Sequence, residues 1–340
     1  MADLRTAGAD RDPLVQVDGL YKHFDVSKPW LVRKLEGSPR MTLRAVDGIS
    51  FSIMPGETFS LVGESGCGKS TVARLTVGLY DASGGRIRFD GMPVGGPKAR
   101  RDMAPVRRRL QMIFQDPFAS LNPRWRVRDI IAEPLRAYRV LTDRRQIQAR
   151  VGELLEQVGL AAADGDKFPH EFSGGQRQRI SIARALSSDP EFIVCDEPTS
   201  ALDVSVQAQI LNLMTDLQRK LGLTYLFISH DLAVVYHVSD RIGVMYLGRL
   251  CEVADAKTLF RRPRHPYTLL LLDAIPDLDM SGRQREPVRG EVPNPIDPPP
   301  GCAFHPRCPF AEERCRRETP EPVGRDGSLV ACHAVEEGRL

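Results

Sequence analysis

Two periods of apolar and polar positions alternate along the 340-residue chain. LVQVDGLYKHFDV, starting at Leu14, alternates every second residue and predicts a strand at the edge of a sheet. SKPWLVRKLEGSPRMT (Ser27 to Thr42) breaks that pattern with Pro, Gly and charge, which predicts a surface insertion. AVDGISFSIMPGET returns to strand and turns at Pro55-Gly56, and TFSLVG is a short apolar strand. KSTVARLTVGLY has helical spacing, and GGRIRFDGMPV predicts further short strands. From Asp116 to about Ser181 the spacing is mostly helical. Apolar strands return in EFIVCDEP and TYLFISHD, with the helical stretch VSVQAQILNLMTDLQRKLG between them.

Strands alternating with helices predict an α/β fold with a parallel sheet, here interrupted by a helical insertion. The expected organisation is a polar tail over residues 1–12 and a body over 13–260, with its helical subdomain at about 116–181. An extension over 261–340 is rich in Pro and Cys and shows no periodicity. No internal repeat is visible.

Composition narrows the class without naming it. The apolar fraction of 42% suffices for a sizeable core, and the net charge of +3 points to neither nucleic acid nor anionic lipid. The start, MADLRTAGADRDPLV, has no apolar core, so no signal peptide is expected. No run approaches the ~20 apolar residues of a membrane span. A cytosolic protein is expected, reaching any membrane through partners. Basic clusters at Arg100-Arg101 and Arg107 to Arg109 lack interleaved aromatics, so a solvated or subunit-facing surface is expected and no nucleic-acid partner.

The chemistry begins at GESGCGKST. Gly63, Glu64, Ser65, Gly66, Cys67, Gly68, Lys69 and Ser70 fit the phosphate-loop pattern G-x-x-x-x-G-K-S/T in full, followed by Thr71. A strand precedes it and a helix follows, as the pattern requires. The glycines let backbone N–H groups turn inward on phosphates. Lys69 is expected to reach the β- and γ-phosphates, and Ser70 to hold Mg²⁺. FIVCDEP then ends a buried strand in two carboxylates. Asp196 stands where a second Mg²⁺ contact is expected, and Glu197 where a general base can meet the attacking water. His230 ends another apolar strand and can reach the γ-phosphate or orient that water. Gln115, at the start of the helical insertion, can ligate Mg²⁺ or water. A second anion-seeking element lies at HEFSGGQRQRISIARAL, where Ser173 and Gln176 form an S-x-x-Q capping box at a helix start.

Together these pieces resemble an ATP-binding cassette, the motor subunit of ABC transporters, over nearly the whole chain. SGGQ (Ser173, Gly174, Gly175, Gln176) resembles the family's signature loop, with Phe172 where leucine is commoner. SALD, ending at Asp203, resembles its D-loop. His230 matches the switch histidine, Gln115 the Q-loop, and Phe24 in LYKHF the aromatic that stacks on adenine, with Tyr21 the weaker match. The resemblance implies a RecA-like core with an antiparallel β subdomain and a helical subdomain. Two cassettes would face head to tail, each signature loop closing on the ATP held by the other's phosphate loop. QMIFQDPFASLNPRWRV, CDEPTSALDVSVQAQILNLM and the tail HPYTLLLLDAIPD…GCAFHPRCPFAEERC resemble the ATPase subunits of bacterial oligopeptide and dipeptide importers. That implies a heterodimer with a second, unlike ATPase and two transmembrane permease subunits. An extracytoplasmic peptide-binding protein and a place on the cytoplasmic face of the inner membrane are implied as well. Relatives of this kind also serve nickel or glutathione, and a soluble ABC ATPase is the remaining alternative.

Cys302, Cys308, Cys315 and Cys332 follow a C-x5-C-x6-C-x16-C spacing without a C-x-x-C pair. In a reducing compartment such a cluster suggests metal before disulfides. The spacing leaves zinc, iron–sulfur and free thiols open, with His305 and His333 as alternative zinc ligands. The family resemblance implies a 4Fe–4S cluster on the four cysteines.

Overall fold

The computed structural model describes residues 12–95, 103–273 and 290–340. Its strands begin with β1 (Val15–Asp25), β2 (Thr42–Ile53), β3 (Thr58–Val62), β4 (Gly84–Phe89), β5 (Met92–Pro93) and β6 (Leu110–Ile113). They continue with β7 (Phe192–Asp196), β8 (Thr224–Ile228), β9 (Arg241–Tyr246), β10 (Arg249–Asp255), β11 (Val323–Arg325) and β12 (Ser328–Val330).

An antiparallel sheet and a mixed sheet make an α/β fold. The first has the order β2-β1-β4-β5 and is antiparallel. β1 is thus an interior strand, which corrects the edge assignment. A period-two pattern reports a half-buried face and says nothing about how many strands flank it. Ser27–Thr42 connects β1 to β2 and carries a helix, Trp30–Glu36, with no buried residue.

The second sheet has the order β11-β12-β10-β9-β3-β8-β7-β6. Within it β6, β7, β8, β3 and β9 run parallel. Every residue of β3, β7 and β8 is buried, which explains why their sequences are continuous apolar runs without alternation. In the helical segment between β6 and β7, two helices each bury one stripe. Val127, Ile130, Ile131 and Leu135 do so on Val127–Ala137, and Ile147, Val151, Leu154 and Leu155 on Arg144–Gln157. Asp116 and Asp143 cap two of its helices through their carboxylates, satisfying free backbone N–H groups. Its core is continuous with that of the large sheet.

The C-terminal residues do not stand apart from this body. β12 pairs antiparallel with β10, with Val253 opposite Leu329, so the β11–β12 hairpin lengthens the large sheet. Of the polar tail, residues 1–11 lie outside the described residues, as does Arg100-Arg101. Arg109 is paired with Glu191 and Asp90. No described helix is long and apolar enough to cross a membrane.

Candidate functional site

Four adjacent parallel strands carry the four nucleotide motifs at their carboxyl ends. In sheet order, β6 leads to Gln115, β7 ends at Asp196 with Glu197 next, β8 leads to His230, and β3 leads to Gly63. The carboxyl edge of an open α/β sheet is where ligands bind, because loops and helix N-termini converge there.

The loop after β3 packs its backbone against its neighbours. Gly63 and Gly68 have φ of +149° and +109°. A Cβ on Gly63 would lie 2.1 Å from the Met245 carbonyl oxygen, and one on Gly68 2.1 Å from that of Ala45, so only glycine fits at both. Ser65 and Gly66 are exposed. The buried Lys69 ammonium donates to the Gly63 oxygen (2.7 Å) and the Glu64 oxygen (3.0 Å). Lys69, Ser70 and Thr71 open the helix Lys69–Thr76. Burial pushes the Cys67 thiol up, so it stays protonated.

Ser70 Oγ donates to Asp196 Oδ1 at 2.8 Å. Desolvation raises the Asp196 pKa against the help of Ser70 and Arg74. A buried carboxylate paired with a hydroxyl is a hard all-oxygen donor set, which suits Mg²⁺.

Glu197 lies beside this pair. Its Oε2 accepts from Gln115 Nε2 at 3.0 Å and lies 3.2 Å from His230 Nδ1. Its φ of +49° is left-handed, a costly conformation for a residue with a Cβ, and it turns the carboxylate off the strand direction. The sequence-selected Gln115, Glu197 and His230 are thereby brought into one cluster.

The capping box at Ser173 forms as expected. Ser173 N–H donates to Gln176 Oε1 (2.9 Å) and Gln176 N–H donates to Ser173 Oγ (3.4 Å). This starts the helix Gly174–Leu186. A Cβ on Gly175 would meet Val206 at 2.4 Å, and one on Gly174 would meet Leu202 at 3.3 Å. The signature helix therefore packs on the chain around Asp203, which is itself exposed and precedes the helix Val204–Leu221. Phe24 is half-buried, edge-on to Tyr80 at 5.7 Å, with the Lys22 ammonium 4.8 Å from its ring centre. Tyr21 is exposed and sits against Gly48 and Gly84.

Cys302, Cys308, Cys315 and Cys332 are free thiols, buried or half-buried. Burial first, and the charges of the neighbouring thiols after it, push Cys302 up to about 11 and Cys308 up to about 12. Among the described residues no group of three or more His, Cys, Asp or Glu side chains is placed to hold a metal ion. The expected cluster and the zinc alternative thus find no support in this geometry. The imidazoles of His305 and His333 face the carbonyls of Cys302 (3.0 Å) and Glu318 (2.9 Å).

Two residues that the sequence reading did not single out reach the phosphate loop from the C-terminal region. Tyr267 Oη accepts from the Glu64 N–H at 2.9 Å, and Arg307 donates to both Glu64 carboxylate oxygens, at 2.8 and 3.0 Å. HPY and HPR are visible in the tail, but no local pattern connects them to a loop more than 200 positions earlier.

Comparison with known proteins matches two stretches of the chain to family models. Residues 46–200 match the family model described as ABC transporter. Residues 251–315 match that of the oligopeptide/dipeptide transporter C-terminal region. The chain is 47% identical over 329 residues to the oligopeptide transport ATP-binding protein AppF of Bacillus subtilis, covering 96% of this chain and 98% of that one. It is 46% identical over 331 residues to the oligopeptide transport ATP-binding protein OppF of Salmonella typhimurium, covering 96% and 97%. Among solved structures, it resembles the dimeric post-hydrolysis state of the ATP-binding cassette MJ0796 bound to ADP and Pi. That match has 25% identity and a TM-score of 0.62, covering 71% of this chain and 98% of the other.

Proposed function

This chain belongs to the ATP-binding cassette family of oligopeptide transport ATP-binding proteins, and on that premise we propose that it is the ATP-hydrolysing motor of an oligopeptide or dipeptide importer. The observation that carries this reading is the single cluster of Gln115, Glu197 and His230 beside the phosphate loop. Glu197 takes the proton of the attacking water. His230 orients the carboxylate and that water, and the Gln115 amide reports the state of the cluster to the helical segment behind it. Lys69 exchanges the Gly63 and Glu64 carbonyls for phosphate oxygens, and the inward N–H groups of the loop hold the rest. Ser70 and Asp196 would hold Mg²⁺, which neutralises charge on the β- and γ-phosphates when bound.

The capped start of the helix Gly174–Leu186 offers its N–H groups and positive dipole end to an anion. We assign that anion to the ATP of a facing cassette, so that nucleotide joins two chains head to tail with Asp203 at their boundary. ATP favours the closed pair to the extent that it binds that form better, and hydrolysis removes the preference. The match to the peptide-transporter C-terminal region favours peptide cargo over nickel or glutathione and favours transport over a soluble ATPase role. The facing chain is a second, unlike cassette. The pair works beneath two transmembrane permease subunits at the cytoplasmic face of the inner membrane, and a binding protein on the far side supplies the cargo. Phe24 supplies the adenine platform.

The four cysteines take no part in these steps. An iron–sulfur cluster on Cys302, Cys308, Cys315 and Cys332 is the reading that the family resemblance implies, and it rests on that resemblance alone. A cluster needs thiolates, which burial opposes until its own positive charge is present. Iron and acid-labile sulfide in anaerobically isolated protein test this, and four titratable thiols without iron would reject it.

The motor reading is tested by purifying the native complex and reconstituting it in vesicles. ATP turnover that rises with oligopeptide and binding protein supports it. Full turnover by the isolated monomer at high dilution would overturn the shared-site arrangement.

A further inference from the structure

We infer that the C-terminal region clamps the phosphate loop, with Arg307 and Tyr267 as positioning residues for the nucleotide. The inference rests on the nucleotide-site reading above and adds residues to it.

Glu64 is held at three points. Its N–H donates to Tyr267 Oη (2.9 Å), its carboxylate takes both arms of the Arg307 guanidinium (2.8 and 3.0 Å), and its carbonyl accepts from Lys69 (3.0 Å). Lys69 leaves that carbonyl when it turns to phosphate. The two contacts from the C-terminal region are then what fixes the second residue of the loop.

Each contact is built from behind. Glu252 is fully buried and accepts the backbone N–H groups of Arg264 (3.0 and 3.2 Å) and His265 (2.9 Å). The His265 ring, also buried, accepts the Tyr267 N–H through Nδ1 at 3.0 Å. The His-Pro-Tyr turn is thus locked by one carboxylate and one imidazole, and it aims the Tyr267 hydroxyl at the loop. The Tyr267 ring packs on Tyr246 (4.7 Å between centroids) and Phe304 (5.4 Å). The same two rings, at 5.7 and 6.0 Å, flank the Arg307 guanidinium, whose side chain is 3% exposed.

A buried ion pair adds little net stability, because desolvation consumes most of its attraction. Its effect here is local. It neutralises a carboxylate carried on the phosphate loop itself, and it pre-shapes the loop so that ordering cost is met before ATP arrives.

The test uses the full chain in the assembled transporter and reads KM for ATP against kcat. Arg307→Ala should raise KM about tenfold, the scale of one charge-assisted hydrogen bond, while kcat stays within about twofold. Tyr267→Phe keeps the ring packing, loses only the hydroxyl, and should raise KM about threefold to fivefold. Arg307→Ala combined with Glu64→Ala should bind ATP better than Arg307→Ala alone, because the unpaired carboxylate is gone. Unchanged KM in both single variants, or strictly additive effects in the pair, would overturn the clamp while wild-type ATP binding stands. Wild-type protein that binds no ATP would remove the nucleotide site and the clamp together. Should Arg307→Ala fail to fold, Arg307→Lys and Tyr267→Phe decide by the same KM-against-kcat split.

Discussion

His230 Nδ1 and Glu197 Oε2 stand 3.2 Å apart, on the loops that follow two neighbouring parallel strands. Gln115 reaches the same oxygen from a third strand. One carboxylate oxygen therefore gathers side chains from the ends of three adjacent strands. Replacing Glu197 with Gln keeps the volume and removes the proposed base. Hydrolysis in the transporter should fall about 10²–10⁴-fold, while ATP binding persists and closed pairs accumulate. Single-turnover rates with radiolabelled ATP, alongside size-exclusion of the pair, measure both. Turnover near wild type would take Glu197 out of its role.

Asp196→Asn retains an oxygen that can accept from Ser70, so the fold should tolerate it. It removes the charge from the donor set. Half-saturation by Mg²⁺ should shift upward by about tenfold or more, with nucleotide binding in the presence of a chelator unaltered. Calorimetric titration at fixed nucleotide and varied Mg²⁺ reads the shift.

Two adjacent glycines should behave differently. Gly174→Ala meets only the tip of Leu202, at 3.3 Å, and should fold with a near-normal melting temperature. Gly175→Ala meets Val206 at 2.4 Å and should destabilise by about 1–3 kcal/mol, as overpacking does. Any loss of turnover in Gly174→Ala then belongs to the anion-facing end and should appear at the facing chain's nucleotide. Mixed pairs carrying the substitution on one side separate the two sites.

Burial holds the His265 pKa at about 4, below its ordinary 6.5. The unfolded chain takes up the proton first as pH falls. Stability is therefore complete above about pH 6.5 and declines through the window down to about pH 4, by at most about 3 kcal/mol. Denaturant titrations across that range should show the slope. His265→Asn, which can still accept the Tyr267 N–H, should flatten it.

The nucleotide motifs were legible because each is local. An apolar run that stops at Asp196-Glu197, or just before His230, announces both a buried strand and what its end presents. Four such ends fall side by side once the sheet is parallel. The contacts of Glu64 were not legible, since Arg307 is 243 positions away and its burial is created by the fold. β1 failed for the same reason: its partners on both sides come from later in the chain. The β11–β12 hairpin is three residues per strand, too short for alternation to register.

Val206 fills the space beside Gly175 so closely that even a methyl group would collide with it, so the signature helix and the chain after Asp203 pack in direct contact. If two cassettes face head to tail as proposed above, the helix start at Ser173 and the turn at Asp203 would move as one body. A tilt at one nucleotide would then reach the other through the same polypeptide. Communication between the two halves of the engine then needs no relay through the membrane.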